Sequence, residues 1–263
     1  MTKLLRLMDW ILLTAGVSGE VFENIRLVGD VVPGLMDACY GHVPPKFKKK
    51  SYTETVSRLL KTGNIRKIVN KKGNVSLELS QSGANKLKRN FPIFSKGRWD
   101  GNFMIVIFDI PEERKRERDD LREKLKELGF GKLQESVWIS PYHFEDDLKE
   151  FLQETGYIND IYVLKATKLL GNSIKANAKY IWNLGEINQK YSEVLAGVQK
   201  IISKKIDPGK AGGVWNLYFE TLATDPLLPK ELLPSNWKQP EAKIMLDKLY
   251  MLIKSKRPLD LNQ

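Results

Sequence analysis

Hydrophobic positions recur with different periods along the chain, and these periods divide it into three segments. Near the N-terminus, residues 3–15 are apolar nearly all round, which predicts a buried helix ended by Gly16. Residues 24–40 show no clear period, and Pro33 followed by Gly34 breaks any regular helix there. The first segment therefore begins with one well-defined helix and one irregular stretch.

A second helix is predicted to begin at Ser51, after a basic loop. Ser51 and Glu54 have the spacing of a capping box, which makes Ser51 the predicted N-cap. Gly63 suits the position that follows a helix C-terminus. The inward stripe of this helix is Val56, Leu59 and Leu60.

Two short strands and a basic helix follow. Residues 65–70 and 75–79 are predicted strands, and the second alternates cleanly between apolar and polar positions. The turn between them is Lys71-Lys72-Gly73-Asn74, and residues 84–89 form the next predicted helix. This order of helices and hairpin predicts a winged helix-turn-helix DNA-binding domain over residues 1–92.

The middle segment has a different order of elements. Residues 93–101 are a predicted linker, and residues 102–168 are predicted to form strand, helix, two strands, helix and strand. The predicted bounds are 102–110, 111–128, 130–133, 136–139, 144–154 and 158–165. The order βαββαβ is that of a ferredoxin-like domain.

The last segment, residues 169–263, is predicted to be a mostly helical domain. Its helices are placed at 174–184, 187–203, about 213–223 and 240–254. The predicted core residues are Trp182, Leu184, Ile187, Tyr191, Val194 and Leu195. The predicted fold class is therefore α+β: a winged helix-turn-helix, a ferredoxin-like domain and a C-terminal helical domain.

Composition narrows the class of protein. Cys39 is the only cysteine, so a disulfide framework and a cysteine-based zinc cluster are excluded, and a reducing cytosol is favoured. No apolar run reaches the ~18 residues that a membrane helix needs. We expect a cytoplasmic protein without a membrane partner.

The net charge of +11 is unevenly distributed. Residues 1–95 have a net charge of +9, residues 96–170 of −3 and residues 171–263 of +5. Residues 42–72 alone contain 10 basic groups and a single acid, Glu54. This concentration of positive charge indicates a nucleic-acid contact surface near the N-terminus.

The candidate contacts with double-stranded DNA lie on the predicted second helix and hairpin. Hydroxyl groups and Arg read base edges in the major groove, whereas lysines at a hairpin tip contact phosphates or the minor groove. A solvated basic surface with no ligand is the alternative interpretation. The candidate residues are Lys48, Lys49, Lys50, Ser51, Thr53, Ser57, Arg58, Lys61, Lys71, Lys72 and Asn74.

Asp109 follows the first strand of the middle segment and supports a different hypothesis. A carboxylate at a strand end can bind Mg²⁺, and a two-fold axis could bring a second copy close to it. The simpler interpretation is that Asp109 caps the helix that begins at Pro111. His143 follows Pro141 and Tyr142, which favours a loop position over a catalytic one.

Two stretches resemble the PaaX-type transcriptional repressors of bacterial phenylacetate degradation. The first is similar to their middle domain and contains Phe108-Asp109-Ile110-Pro111-Glu112 and Ser136-Val137-Trp138-Ile139-Ser140-Pro141. The second is similar to their last domain and contains Asp225-Pro226-Leu227-Leu228-Pro229 and Trp237. The resemblance covers nearly the whole chain in the family's domain order.

The resemblance implies a homodimeric repressor that binds an inverted-repeat operator and releases it when an acyl-CoA binds. Residues 215–220 and 238–239 depart from the family pattern, in the region where we expect effector or interdomain contacts. The middle segment also resembles the small ferredoxin-like endonuclease of CRISPR adaptation, in which Asp109 matches the metal ligand. This second resemblance implies that residues 102–168 are a dimerisation domain with the fold of that endonuclease. A repressor without a cofactor is therefore the main hypothesis; a Mg²⁺-dependent nuclease using Asp109 and a CRISPR-linked DNA-binding scaffold are the alternatives.

Overall fold

The computed structural model describes residues 7–16, 49–69, 75–91, 93, 98–157, 160–167, 173–203 and 208–256. Helices and strands both occur, and a four-stranded sheet lies in the middle of the chain, which confirms the α+β class. The contacts within the chain define two compact units. The first contains residues 1–90, 188–223 and 237–263, and the second contains residues 91–187 and 224–236. The domain limits expected from the sequence stay a prediction.

The N-terminal part of the first unit contains three described helices and one hairpin. Its elements are α1 (Leu7–Gly16), α2 (Lys49–Lys61), β1 (Ile65–Val69), β2 (Val75–Leu79) and α3 (Gln81–Asn90). Helix α1 is buried through Trp10, Ile11, Leu12 and Leu13, as its apolar pattern predicts. Its Asp9 is also buried, and it accepts a 2.7 Å hydrogen bond from the Asn90 side-chain amide.

Strands β1 and β2 pair antiparallel, with Ile65 opposite Leu79 and Val69 opposite Val75. Both predicted strands are thereby confirmed. The hairpin tip, residues 70–74, and the irregular stretch, residues 17–48, lie outside the described residues. The complete winged helix-turn-helix therefore stays a prediction.

The second unit is built on the four-stranded sheet. Its strands are β3 (Phe103–Phe108), β4 (Gly131–Gln134), β5 (Val137–Ser140) and β6 (Ile161–Ala166), in the order β4-β5-β3-β6 with every neighbour antiparallel. Helix α4 (Lys115–Glu127) joins β3 to β4, and helix α5 (Glu145–Thr155) joins β5 to β6. This is the βαββαβ order predicted from the sequence.

The sheet has two unlike faces. On one face Met104, Val106 and Phe108 of β3 are buried, and the Arg122 guanidinium of α4 lies 5.9 Å from the Phe108 ring. Gly131 of β4 belongs to the opposite face, where an added Cβ would meet the side chains of Ile181 and Trp182 at under 3 Å. That second face is therefore covered at its β4 end.

The four remaining helices are divided between the two units. They are α6 (Ile174–Ile181), α7 (Leu184–Ser203), α8 (Pro208–Leu222) and α9 (Gln239–Lys256). All six residues predicted as the core of this segment are buried: Trp182, Leu184, Ile187, Tyr191, Val194 and Leu195. Within the described ranges, no helix combines the length and apolar character needed to cross a bilayer.

Candidate nucleic-acid interface

Helix α2 has one buried face and one exposed face. Tyr52 and Leu59 are 6% and 1% exposed and anchor the inner face, with Val56 and Leu60 half-buried beside them. The apolar side chains recur every three to four residues, so burying them turns the intervening positions outward. The exposed residues are Lys50, Thr53, Glu54, Ser57, Arg58 and Lys61. We call these six residues the polar face of α2.

The polar face spans the length of the helix. At 1.5 Å per residue, the 13 residues of α2 extend roughly 20 Å. Two hydroxyl groups and three cations are presented on it, against the one carboxylate of Glu54. The Arg58 guanidinium forms no ion pair with any residue that the structure describes.

The C-terminus of α2 is fixed by a Schellman motif. Gly63 has φ +68°, its N–H donates to the Leu60 carbonyl at 3.1 Å, and the Asn64 N–H donates to the Leu59 carbonyl at 2.9 Å. These bonds satisfy two carbonyl groups that the helix end leaves open. The prediction of Gly63 as the residue after this helix is confirmed.

Asn64 and Ser80 connect α2 to the hairpin and to α3. The Ser80 N–H donates to the Asn64 carbonyl at 3.1 Å, and the Ser80 hydroxyl donates to the Gly63 carbonyl. The same Ser80 hydroxyl accepts the Gly83 N–H at 3.1 Å, which caps the start of α3. An added Cβ on Gly83 would lie 2.0 Å from the Asn64 carbonyl oxygen. These four residues, 63, 64, 80 and 83, form what we call the α2 junction.

The α2 junction was not predicted, although a signal for it exists. Ser80 stands directly before the helix and has the residue type of an N-cap. What the sequence pattern does not show is that Gly83 must be small because the backbone of Asn64 approaches it.

The structure brings five of the predicted DNA-binding residues together. Lys50, Thr53, Ser57, Arg58 and Lys61 all lie on the polar face of α2. Lys49 is the first residue of α2, and its side chain lies outside the part of the chain that the structure describes. Lys48, Lys71, Lys72 and Asn74 lie outside the described residues.

The predicted role of Ser51 as N-cap is wrong. Helix α2 already includes Lys49 and Lys50, so Ser51 lies within its first turn, is half-buried, and its carbonyl accepts the Thr55 hydroxyl at 2.7 Å. Lys has a good helix propensity, and the helix therefore extends backwards past the capping-box signal. The contact of Ser51 with DNA stays a prediction.

Asp109 lies exposed directly after β3, and its backbone N–H donates to the Asp160 carbonyl at 3.1 Å. It does not cap the following helical turn, Glu112–Arg114, whose N-cap position is Pro111 and has no side-chain cap bond. Among the described residues, no three His, Cys, Asp or Glu side chains are placed to hold a metal ion.

His143 lies in a surface cluster with Asp100 and Lys165. The His143 Nε2 and the Lys165 Nζ are 3.2 and 3.1 Å from the same Asp100 oxygen. The pKa of Asp100 is well below its usual range, chiefly because the Asn102 side-chain amide and backbone N–H both donate to it. This cluster ties the segment before β3 to β6 and to the loop after β5.

The two segments that depart from the family pattern meet in the first unit. The Gln239 amide of α9 donates to the Tyr218 hydroxyl of α8 at 3.3 Å. The Tyr191 ring of α7 lies 5.9 Å from that of Tyr218 and 5.7 Å from that of Trp237. The expected region of effector or interdomain contacts is thus one aromatic cluster.

Comparisons with known proteins match most of the chain after residue 95. Residues 96–178 match the family model described as the PaaX protein central Cas2-like domain, and residues 182–257 match the PaaX-like protein C-terminal domain. The transcriptional repressor PaaX of Escherichia coli (strain K12) is 25% identical over 168 residues. That alignment spans 59% of this chain and 52% of the relative, so it covers about half of the relative's length.

One solved structure is similar over nearly the whole chain. The uncharacterized protein Rv0674 from Mycobacterium tuberculosis superposes with a TM-score of 0.52 at 18% identity. The match covers 95% of this chain and 93% of that one. At this identity the likeness concerns the fold alone.

Proposed function

The chain belongs to the PaaX family, and from that premise we propose that it is a transcriptional repressor that binds duplex operator DNA through the polar face of α2. The observation that supports this proposal most directly is the arrangement of that face. Thr53, Ser57 and Arg58 are exposed side by side on a helix that directly precedes an antiparallel hairpin. Hydroxyl groups and Arg are the side chains that read base edges.

In the proposed complex, α2 lies in the major groove. The groove is about 12 Å wide and admits a helix, and the two cations near the ends of α2, Lys50 and Lys61, then lie close to phosphates. Lys71 and Lys72 of the hairpin turn would contact the backbone beside the groove. Arg58 specifies sequence in this arrangement, whereas the lysines supply affinity that is independent of sequence.

The family resemblance adds two features to the proposal: the protein acts as a homodimer, and a ligand releases this homodimer from DNA. Two copies of α2 would read the halves of an inverted repeat, and an acyl-CoA would stabilise an arrangement in which the two helices no longer match the half-site spacing. The expected effect of such a ligand is a weaker apparent affinity for DNA. A panel of acyl-CoA compounds added to the bound complex measures this release.

Fluorescence anisotropy with DNA tests the central claim. The duplex is selected from a random pool with the full chain, and binding is compared between wild type and Arg58→Ala. We expect Arg58→Ala to lose about 1–3 kcal/mol of binding free energy on the selected sequence and much less on random duplex. With about six phosphate contacts, affinity for either duplex should fall roughly 10³-fold between 50 and 200 mM salt.

Arg116→Ala is the matched control, because Arg116 is an exposed Arg on α4 in the second unit. It removes the same charge away from the polar face of α2 and should change affinity by less than about twofold. The proposal fails if wild type does not bind duplex DNA at 50 mM salt. It also fails if Arg116→Ala and Arg58→Ala weaken binding equally.

A further inference from the structure

Glu54 is the one acidic residue on the polar face of α2, and it lies within that face. Successive residues of a helix are rotated by about 100°, so Thr53 and Arg58 mark the two margins of the face and Glu54 lies between them. Along the helix, Lys50 lies about one turn before Glu54 and Arg58 about one turn after it. Any DNA that contacts this face therefore also meets the Glu54 carboxylate.

The fold gives the Glu54 side chain no structural role in the described part of the chain. In the capping box expected from the sequence, Glu54 would bond back to the helix N-terminus. Because α2 begins at Lys49, Glu54 instead lies in the second turn, away from that end. Its carboxylate forms no ion pair with any residue that the structure describes, although Lys50 and Arg58 have the spacing for one. Helix stability therefore does not explain an acid at this position.

A carboxylate on this face opposes DNA binding unless a hydrogen-bond donor faces it. Duplex DNA carries one negative charge per about 1.7 Å of its axis, which repels Glu54 whatever the sequence. An ionised carboxylate accepts hydrogen bonds and donates none. The donors on the base edges of the major groove are the N4 amine of cytosine and the N6 amine of adenine. Only a sequence that places one of these amines against Glu54 offsets the repulsion.

Cytosine suits the carboxylate better than adenine does. The N6 amine of adenine lies beside the N7 acceptor, which repels a carboxylate, whereas cytosine presents its N4 amine without an acceptor on its own major-groove edge. Guanine and thymine present acceptors there and no donor. The chemistry of Glu54 therefore favours cytosine over each of the other three bases.

We propose that Glu54 is a specificity-determining residue that accepts a hydrogen bond from the N4 amine of a cytosine, close to the guanine that Arg58 contacts. Arg binds guanine through O6 and N7 together. Residues four apart are separated by about 6 Å along the helix, which corresponds to roughly two base-pair steps of 3.4 Å. The cytosine therefore lies within about two base pairs of that guanine. The inference rests on the proposed function and deepens it, because it names bases that the polar face of α2 recognises.

Selection of bound duplexes from a random pool tests the assignment with the full chain. Wild type should prefer cytosine at one position of the site by about fivefold or more over each other base. Glu54→Gln should lose this preference and favour adenine, because the Gln amide bonds to both N6 and N7 of adenine. Glu54→Ala should prefer no base there. Arg58→Ala should lose the preference for a guanine within about two base pairs of the same position.

Glu123→Gln is the matched control, because Glu123 is an exposed Glu on α4 in the second unit. It removes the same charge away from α2 and should retain the cytosine preference. Fluorescence anisotropy adds a second measurement on random duplex at 50 mM salt. Glu54→Gln and Glu54→Ala should bind at least about twofold more tightly than wild type, and this gain should shrink at 200 mM salt because the removed repulsion is screened there. Circular dichroism verifies that each variant keeps the helix content of the wild type.

The inference is wrong if both Glu54 variants retain the base preferences of the wild type, or if the position that they change is not cytosine in the wild-type selection. It is also wrong if neither variant binds random duplex more tightly than the wild type. In these cases the repressor proposal stands, provided that wild type selects a sequence and Arg58→Ala weakens its binding. If wild type binds no duplex at 50 mM salt, the proposed function itself fails and the inference fails with it.

Discussion

At the scale of single residues, Leu227 of the second unit is held in a strained backbone conformation. It is buried yet has φ +46°, a conformation that costs a non-glycine residue about 1–2 kcal/mol. The Asp225 carboxylate accepts the Leu227 N–H at 2.7 Å, and the Tyr142 hydroxyl donates to the Leu227 carbonyl at 2.7 Å. The backbone N–H and C=O of Leu227 are thus both hydrogen-bonded, which offsets the backbone strain.

Tyr142→Phe should lower the free energy of unfolding by about 1–2 kcal/mol. The substitution removes the hydroxyl and leaves the buried Leu227 carbonyl without this donor. Urea denaturation followed by circular dichroism measures the change. Tyr180→Phe, at a tyrosine that is 79% exposed, is the control and should leave the denaturation midpoint unchanged. Equal effects of the two substitutions would contradict the role given to the Tyr142 hydroxyl.

Tyr142 should also make stability depend on alkaline pH. Burial raises the pKa of its phenol well above the usual range, and the carboxylates of Asp225 and Glu231 act in the same direction. In the unfolded chain the phenol loses its proton near pH 10, whereas in the folded protein it stays protonated. Stability should therefore fall as the pH rises above about 10. The free energy of unfolding of the Tyr142→Phe variant should fall less steeply with pH over that range. The same slope as in the wild type would refute this prediction.

At the scale of elements, the α2 junction sets the direction in which the polar face points. The end of α2, the end of β2 and the start of α3 are bonded through Gly63, Asn64 and Ser80. A change in any of these residues alters how the helix and the hairpin are held together. DNA affinity should therefore depend on residues that do not contact DNA.

Gly63→Ala should destabilise the protein by about 1–2 kcal/mol. An added Cβ has no atom within 4 Å, so the cost comes from the left-handed backbone alone. Gly213→Ala is the control: it also has no atom within 4 Å of an added Cβ, but it lies inside α8 without a positive φ. There, alanine should stabilise the protein by about 0.5–1 kcal/mol. Thermal unfolding gives both values, and shifts of the same sign would overturn the explanation.

Helices and strands were largely predictable because their signals are local. The alternation at 75–79 predicted β2, and Gly63 predicted the end of α2. The start of α2 was placed two residues late, because Lys49 and Lys50 extend the helix before the Ser51 signal. The α2 junction was not predicted, because it depends on the close approach of Asn64 to Gly83. The spacing of apolar residues along the sequence contains no information on that contact.

At the scale of the whole molecule, each compact unit is assembled from distant parts of the chain. In the first unit, Trp10 of α1 packs edge-on against Phe219 of α8 at 6.4 Å between ring centroids, and Trp215 stacks on Phe219 at 6.3 Å. The helices near the polar face of α2 therefore share a core with helices from the C-terminal half. Local sequence patterns predicted these helices but not that they belong together.

Phe219→Ala should destabilise the first unit by about 3–5 kcal/mol. Phe219 is fully buried, and its removal leaves a cavity beside Trp10 and Trp215. Tryptophan fluorescence during urea unfolding measures the loss, and DNA affinity should fall with the folded fraction. Ile244→Ala on α9 is the control, because Ile244 is 54% exposed and should change stability by less than about 0.5 kcal/mol. Retention of wild-type stability by Phe219→Ala would contradict the shared core.

The discontinuous units have a consequence for synthesis on the ribosome. Residues 1–90 emerge first, yet the core around Trp10 also needs Phe219, which is translated more than 200 residues later. The second unit likewise stays incomplete until residues 224–236 have been added. Nascent chains therefore cannot finish either unit early, and a prematurely terminated product would not form the intact core that supports α2. Such fragments would therefore not compete with the full chain in the DNA binding that we propose for the polar face of α2.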